Sequence, residues 1–479
     1  MPVVGGRRAT AEVTSLTEHL MSKLPIHRWS DRPLFSPRPS APLPLAQLEL
    51  ARAALGPHGF LPVRAPASPV LCTLADVCRE LPLRYHLPEG DVRPWLREVF
   101  ESCPEHQDTE LDPAGLDDLM VVVTHLAHAF RWAAMPAPAA SHALAQVDLP
   151  RGLARLWSRI AAQLDVPRCG NLYHMVLHGW SADDIRPGAE YTTDRLLHGG
   201  LAPLYPWLRG READELSVFT GAVVETEAHG AAAVDLAVPL FAAVARDDTS
   251  AAAELLDRLA AVVAEIGKVF ARAIRKQQVS PHTFLTLIQP HFLWGLEHEG
   301  EVLEGASGAQ TPSFQLLDAM LAVPRESPAA QAATRSRAGL PPRHRGFLAA
   351  VDALGGELRA FVGRTGDHAL ADRYNECVRG LQHWRRMHQK RGALYLDGDP
   401  QRPVPEYMSV GRVVGGAGDR AGRFDAAMEA HVQETAQVLF PPEHFEAPPR
   451  ELLAISASME IGLVALRSGG DPVLERGPA

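Results

Sequence analysis

From Leu116 onward the chain repeats apolar residues every three or four positions, the spacing that lays one face of a helix against a core. LDDLMVVVTHLAHAF, LARLWSRIAAQL and NLYHMVLHGW all carry it, and strand-like alternation is scarce. The clearest run predicts a helix over about 251–278, with Leu255, Leu259, Val262, Ile266, Val269 and Ala273 on one stripe and Ser250 as the N-cap. A second helix is expected near Thr311, where Pro312 takes the first-turn position that tolerates a missing N–H, and Phe314, Leu317 and Leu321 share a face with Asp318. A third spans about 367–391 with Leu370, Tyr374, Cys377, Leu381 and Trp384 in one stripe, and Gly392 is expected to end it. The next position of that stripe is His388.

No repeat with a period of 20 to 50 residues interrupts this pattern, so the expected fold class is all-α, a helical bundle. Its expected organisation is an N-terminal arm over 1–70, a small helical domain over 71–195 and a larger helical domain over 196–479. Residues from about 30 to 70 are rich in proline, which predicts an extended segment.

Composition narrows the class of function. Apolar residues make up 46% and charged residues 22% of the 479, ordinary globular usage. A net charge of −10 leaves no basic face for a run of phosphates, so nucleic acid is excluded as an expected partner. Cys72, Cys78, Cys103, Cys169 and Cys377 are odd in number, widely spaced and never paired as CxxC. They fit neither a disulfide framework nor a thiolate zinc site, and a cytoplasmic location is expected. The opening MPVVGGRRATAEV lacks an export signal and no long uncharged apolar run follows, so no membrane association is expected.

The chemistry concentrates on a few polar residues in apolar places. His388 stands where an aliphatic side chain would otherwise be expected, which fits either a core histidine bonded to one carbonyl or an axial metal ligand. Asp318 needs a partner on its apolar face, and Arg385, one turn before His388, is a candidate. A cofactor bearing two propionates would give Arg385 and Arg386 something to bind; a solvated pair is the plainer alternative. His174 and His178 have a zinc-chelating spacing, but the intervening MVL lacks the glutamate that zinc hydrolysis needs. Gly416, Gly418 and Ala421 form a GxGxxA pattern without the βαβ surroundings of a dinucleotide site, so a mobile glycine loop is the better reading. GASGAQTPSF sets small residues and Ser307 before the Thr311 helix, where a ligand could come close to the backbone. GxSxG, Walker and HExxH motifs are absent, which removes the commonest hydrolase, NTPase and metalloprotease readings.

GLPPRHRGFLAAVDA and TGDHALADRYNECVRGLQHWRRMHQKRGALYL together resemble the carboxy-terminal signature of the indoleamine 2,3-dioxygenases. EGASGAQTPSFQLLDAML, SPHTFLTLI, TEAHGAAAV, LDVPRCGNLYHMVLHGW and LAHAFRW extend the resemblance backward in the family's order, over roughly 116–396. The resemblance implies a haem-dependent oxygenase that inserts O2 into the C2=C3 bond of an indole, tryptophan or a compound derived from it, with ring cleavage. It implies haem b as cofactor in the larger domain, with His388 as proximal iron ligand, Arg385 meeting a propionate and Asp318 paired with that arginine. The implied substrate pocket comprises Leu172, Met175, Val176, Phe219, Val223, Phe284, Gln289, Ala306, Ser307 and Gly308, and no side-chain base is required. The expected partners are the small indole and O2, and a monomer is the expected state.

Three departures qualify what is implied. Gln289 stands where the family has the arginine that holds an amino acid carboxylate, so either the substrate lacks a free carboxylate or another residue supplies the charge. Val223 stands where animal members carry a serine, and the loop around Gly415 to Gly418 resembles the family's lid without its threonines. Mono-oxygenation or rearrangement of a tryptophan derivative, a non-catalytic haem or indole sensor, and a haem-free helical interaction protein are the alternatives.

Overall fold

The structure, a computed structural model, describes residues 43–67, 72–85, 90–102, 111–135, 146–293, 296–303, 305–396 and 420–440. The glycine loop around Gly415 to Gly418 lies outside them. The all-α class expected from the periodicity is what forms. The principal helices are α1 (Leu43–Leu55), α2 (Cys72–Arg84), α3 (Arg93–Ser102), α4 (Leu116–Trp132), α5 (Arg151–Leu164), α6 (Gly210–Ala245), α7 (Thr249–Ala273), α8 (Pro312–Met320), α9 (Pro328–Ser336), α10 (Pro342–Asp352), α11 (Gly355–Thr365), α12 (His368–Leu396) and α13 (Arg420–Ala436). The described strands form two antiparallel ribbons, β1 (Trp180–Ala182) with β2 (Leu201–Pro203) and β3 (Leu296–His298) with β4 (Glu301–Leu303).

The centre is α6. Its apolar residues run on almost every face, and it is long and apolar enough to cross a bilayer by length and composition. However, 61% of its most apolar window is buried against the rest of the protein, the surroundings of a core helix. It packs on α7, α8 and α1, while α12 lies between α7 and α13. A helix carrying His388 is thereby set beside the long hairpin of α6 and α7.

Four expectations shift at their edges. The proline-rich stretch is not extended throughout, because 43–55 forms α1, with Pro44 in the first turn and Gly56 leaving it at φ +85°. α7 is capped by Asp248, whose side chain accepts from Ala251 N at 3.0 Å, not by Ser250, and it stops at Ala273. NLYHMVLHGW forms only a single π-helical turn, Tyr173–Leu177. Gly392 does not end α12, which continues to Leu396.

The reason for Gly392 lies across the interface. A methyl group there would come within 2.3 Å of Phe424 Cε1 on α13, so the missing side chain allows close packing of the two helices. Gly392→Ala is expected to cost about 1–3 kcal/mol through this overpacking, more than helix propensity returns. Urea denaturation of the variant beside the wild type measures it.

Candidate active site

α12 delivers His388 into a sleeve of aromatic rings. Trp384, one turn earlier, stacks on the imidazole with centroids 5.2 Å apart, and Phe314 of α8 stacks on Trp384 at 3.7 Å. Phe270 of α7 and Phe424 of α13 present their edges to His388, each at 5.7 Å. Nδ1 is buried with no hydrogen-bond partner, as are ring nitrogens of His178, His344, His383 and His431, and what sets His388 apart is the aromatic sleeve around it. Burial, with a smaller push from His431, lowers the ring to about 4, so it is neutral and keeps a lone pair at neutral pH. Yet the side chain is only half-buried, as are Phe270, Phe314, Trp384 and Phe424 around it. These rings thus keep some accessible surface beside His388.

The polar side of α12 is tightly held. Arg385 is almost fully buried and donates from Nη2 to Asp318 Oδ1 and from Nη1 to Thr435 Oγ1. His431 Nε2 lies 3.7 Å from Asp318 Oδ2, and Thr435 donates back to the His431 carbonyl at 2.7 Å. Burial alone would raise the Asp318 carboxyl, but Arg385 and His431 outweigh it and hold the group below the usual carboxylate range. The proximal candidates His388, Arg385 and Asp318 are therefore assembled from α8 and α12, with α13 closing over them.

The candidate pocket residues fall into two groups. Phe219 of α6 leans on Phe284 at 5.6 Å, and Phe284 meets Tyr395 of α12 edge-on at 5.4 Å, which ties this pair to the His388 helix. Val223 follows Phe219 by one turn and is half-buried. The second group joins the π turn to the small-residue turn. Gln310 Oε1 accepts from Leu172 N at 2.7 Å and from Ser307 N at 3.1 Å, fixing Ala306, Ser307 and Gly308 beside Leu172, Met175 and Val176. Leu172, Met175, Val176 and Ala306 are buried, Ser307 is half-buried and Gly308 is exposed.

Gln289 is buried at the first position of a short helix, Gln289–Leu293. That helix is clasped from the other side. His128 donates from Nδ1 to the His291 carbonyl at 2.5 Å, Trp132 Nε1 donates to Pro290 O at 2.8 Å, and His125 Nδ1 lies 3.1 Å from His291 Nε2. The two residues that follow Gln289 are thus held by α4.

Two residues of consequence went unread at the sequence level. Gln310 was legible, since Ser307-x-x-Gln310 is a capping box and both of its bonds form. Glu227 of α6 is fully buried and accepts from Ser313 N at 3.2 Å and Ser313 Oγ at 2.6 Å, at the positive end of α8. Gly230 makes room for it, because a methyl there would sit 1.8 Å from Ser313 Oγ. Burial outweighs these bonds and pushes the Glu227 carboxyl up to about 7. A carboxyl raised by folding contributes stability at low pH that is lost as pH rises from its unfolded value toward 7. Glu227→Gln is expected to flatten that decline, measured by thermal melts between pH 4 and 8.

The His174 and His178 pair is spoken for. His174 Nε2 meets Asp117 Oδ1 at 3.0 Å and His178 Nε2 meets Asp118 Oδ1 at 3.1 Å, both acids lying on α4. Among the described residues no group of three or more His, Cys, Asp or Glu side chains could hold a metal ion.

Residues 96–401 match the family described as Indoleamine 2,3-dioxygenase. The chain belongs to the indoleamine 2,3-dioxygenase family. Every candidate from Leu172 to His388 lies within the matched range. Indoleamine 2,3-dioxygenase 1 of Rattus norvegicus is 27% identical over 257 residues, 50% of this chain and 60% of that protein. The corresponding protein of Mus musculus is 27% identical over 258 residues, with the same coverage. Indoleamine 2,3-dioxygenase 2 of Homo sapiens is 24% identical over 349 residues, 67% of this chain and 80% of the human protein. The chain thus spans about three fifths of the length of the rodent relatives.

Proposed function

We propose that this member of the indoleamine 2,3-dioxygenase family is a haem-dependent oxygenase that adds both atoms of O2 across the C2=C3 bond of an indole and opens the ring. The observation that carries the reading is His388, a neutral, half-buried imidazole ringed by Trp384, Phe270 and Phe424 inside the range that matches the family. Such a group fits haem b, since a neutral imidazole binds iron without first releasing a proton. Haem supplies the activation of oxygen that no side chain of this chain can supply.

The protein's own tasks are binding, orientation and exclusion of water. His388 would hold the iron, Arg385 and Asp318 would stiffen the helix that carries it, and Phe219 with Phe284 would receive the face of the indole. Leu172, Met175 and Val176 would wall the site with apolar surface, so that no water competes at the reacting carbons. Gln289 supports a substrate end that accepts or donates a neutral hydrogen bond, because an amide carries no charge to pair with a carboxylate.

Reconstitution with haem, reduction, and incubation in air with tryptophan, tryptamine and tryptophan methyl ester tests the reading. A product two oxygens heavier with loss of indole absorbance is expected from at least one of them. A product carrying one oxygen, or indole recovered intact from all three with haem bound, would sink it.

A further inference from the structure

Arg385 and Arg391 lie on the same helix and could hardly be treated more differently. Arg385 is buried and shared between Asp318 and Thr435. Arg391 lies three residues beyond His388, about 4.5 Å along the helix axis, and is half-buried without a hydrogen bond or ion pair to any described residue. Leaving a guanidinium partly desolvated and unpaired is costly, and it is tolerated where a ligand brings the missing charge.

The neighbourhood adds a second cation instead of an acid. Tyr395, one turn after Arg391, donates to Val279 O at 2.6 Å, and Val279 N donates to Arg275 O at 2.8 Å. This chain of bonds brings the turn that carries Arg275 beside Arg391. Arg275 donates from Nε to Ala271 O at 2.9 Å and is otherwise exposed. Burial chiefly, and the like charge of Arg275, hold Arg391 below the usual guanidinium range. Glu215, the carboxylate whose field reaches Tyr395, is already committed to Ser280 N at 2.8 Å and Arg211 Nε at 2.9 Å. Among the described residues neither Arg391 nor Arg275 is paired with an acid, and Arg391 lies beside Tyr395, which itself touches Phe284 in the candidate pocket.

We propose that Arg391, backed by Arg275, receives the carboxylate of a planar ligand, a haem seated on His388 or an indole seated against Phe219 and Phe284. This rests on the haem-oxygenase reading and supplies the charge that Gln289 cannot. The carboxylate is either a propionate of the haem or the acid group of an indole amino acid, and the same site chemistry serves both.

Two titrations separate the sources. Ferric protoporphyrin IX and its dimethyl ester are titrated into the apoprotein of wild type, Arg391→Gln, Arg391→Lys and Arg258→Gln, the last an exposed charge-loss control on α7. Tryptophan and its methyl ester are then titrated into the haem-loaded forms, read by the shift of the Soret band. Arg391→Gln is expected to weaken one acid about tenfold and leave its ester unchanged, with partial recovery in Arg391→Lys and none of this in Arg258→Gln. Selective loss on the porphyrin assigns the propionate, and selective loss on tryptophan assigns the substrate. Acid and ester both unaffected, or weakened equally, overturn the inference while wild-type haem binding stands. A wild-type chain that takes up no haem overturns the oxygenase reading and this inference with it. Removing an unpaired, half-buried cation is expected to leave the melting temperature unchanged or raise it, so misfolding does not obscure the result.

Discussion

His388→Leu is expected to abolish haem uptake and, in the same protein, to make the apoprotein more stable. The imidazole is desolvated, its Nδ1 has no partner, and its walls are Phe270, Trp384 and Phe424. A leucine of similar volume removes the buried polar atom and keeps the contacts, a gain of about 1–3 kcal/mol on the scale of an unsatisfied buried group. The pH dependence has a definite sign. A histidine whose folded value is lowered to about 4, against about 6.5 unfolded, favours the fold fully above the unfolded value. That contribution drains away as pH falls toward 4. The leucine variant therefore gains most over wild type in acid. Soret titration reads the first half of the expectation and urea unfolding at pH 7 and 5 the second. A core histidine without a ligand role would give the reverse pattern, with stability lost at pH 7 and no change in haem uptake.

The same residue shows how much of the site was legible in the chain. A stripe spaced four, three, four, three and four reached His388, and the structure seats it on the inward face that this count predicts. Asp318 and Arg385 could be matched because a carboxylate on one apolar face and a guanidinium on another each require a partner, and they supply one another. What the pattern could not carry was the reason for individual glycines. Gly392 reads as a stop because local propensity says so, yet its place is set by Phe424 across an interface 32 residues further along. NLYHMVLHGW has a helical period, but the acids of α4 draw His174 and His178 aside and the helix closes after one wide turn. Arg391 was unremarkable in sequence, one cation in a basic run. Its partial burial sets it apart from the exposed Arg386.

Asp318→Ala is expected to destabilise the protein by about 3–5 kcal/mol, because it strands Arg385 in a nearly closed interior. Asp318→Asn should cost less, since the amide oxygen still accepts from Nη2, but it removes the opposite charge that holds the pair together. Wild type is also expected to lose this contribution in acid. A carboxyl held below its usual range stabilises the fold above its unfolded value near 3.9, and the effect vanishes as pH falls through the folded value. The Asn variant should therefore show a shallower decline in stability below pH 4. The informative variant is the double replacement Asp318→Leu with Arg385→Met, which removes both charges and keeps the volume. Stability should return to within about 1–2 kcal/mol of wild type, because a buried pair is worth little against well-packed apolar groups. Haem affinity should not return with it, because the pair's proposed task is to stiffen the helix that presents His388, not to stabilise the bundle. Equilibrium unfolding and Soret titration on the same preparation separate these effects. Recovery of both together would mean that Arg385 acts on stability alone, and would remove it from the cofactor site.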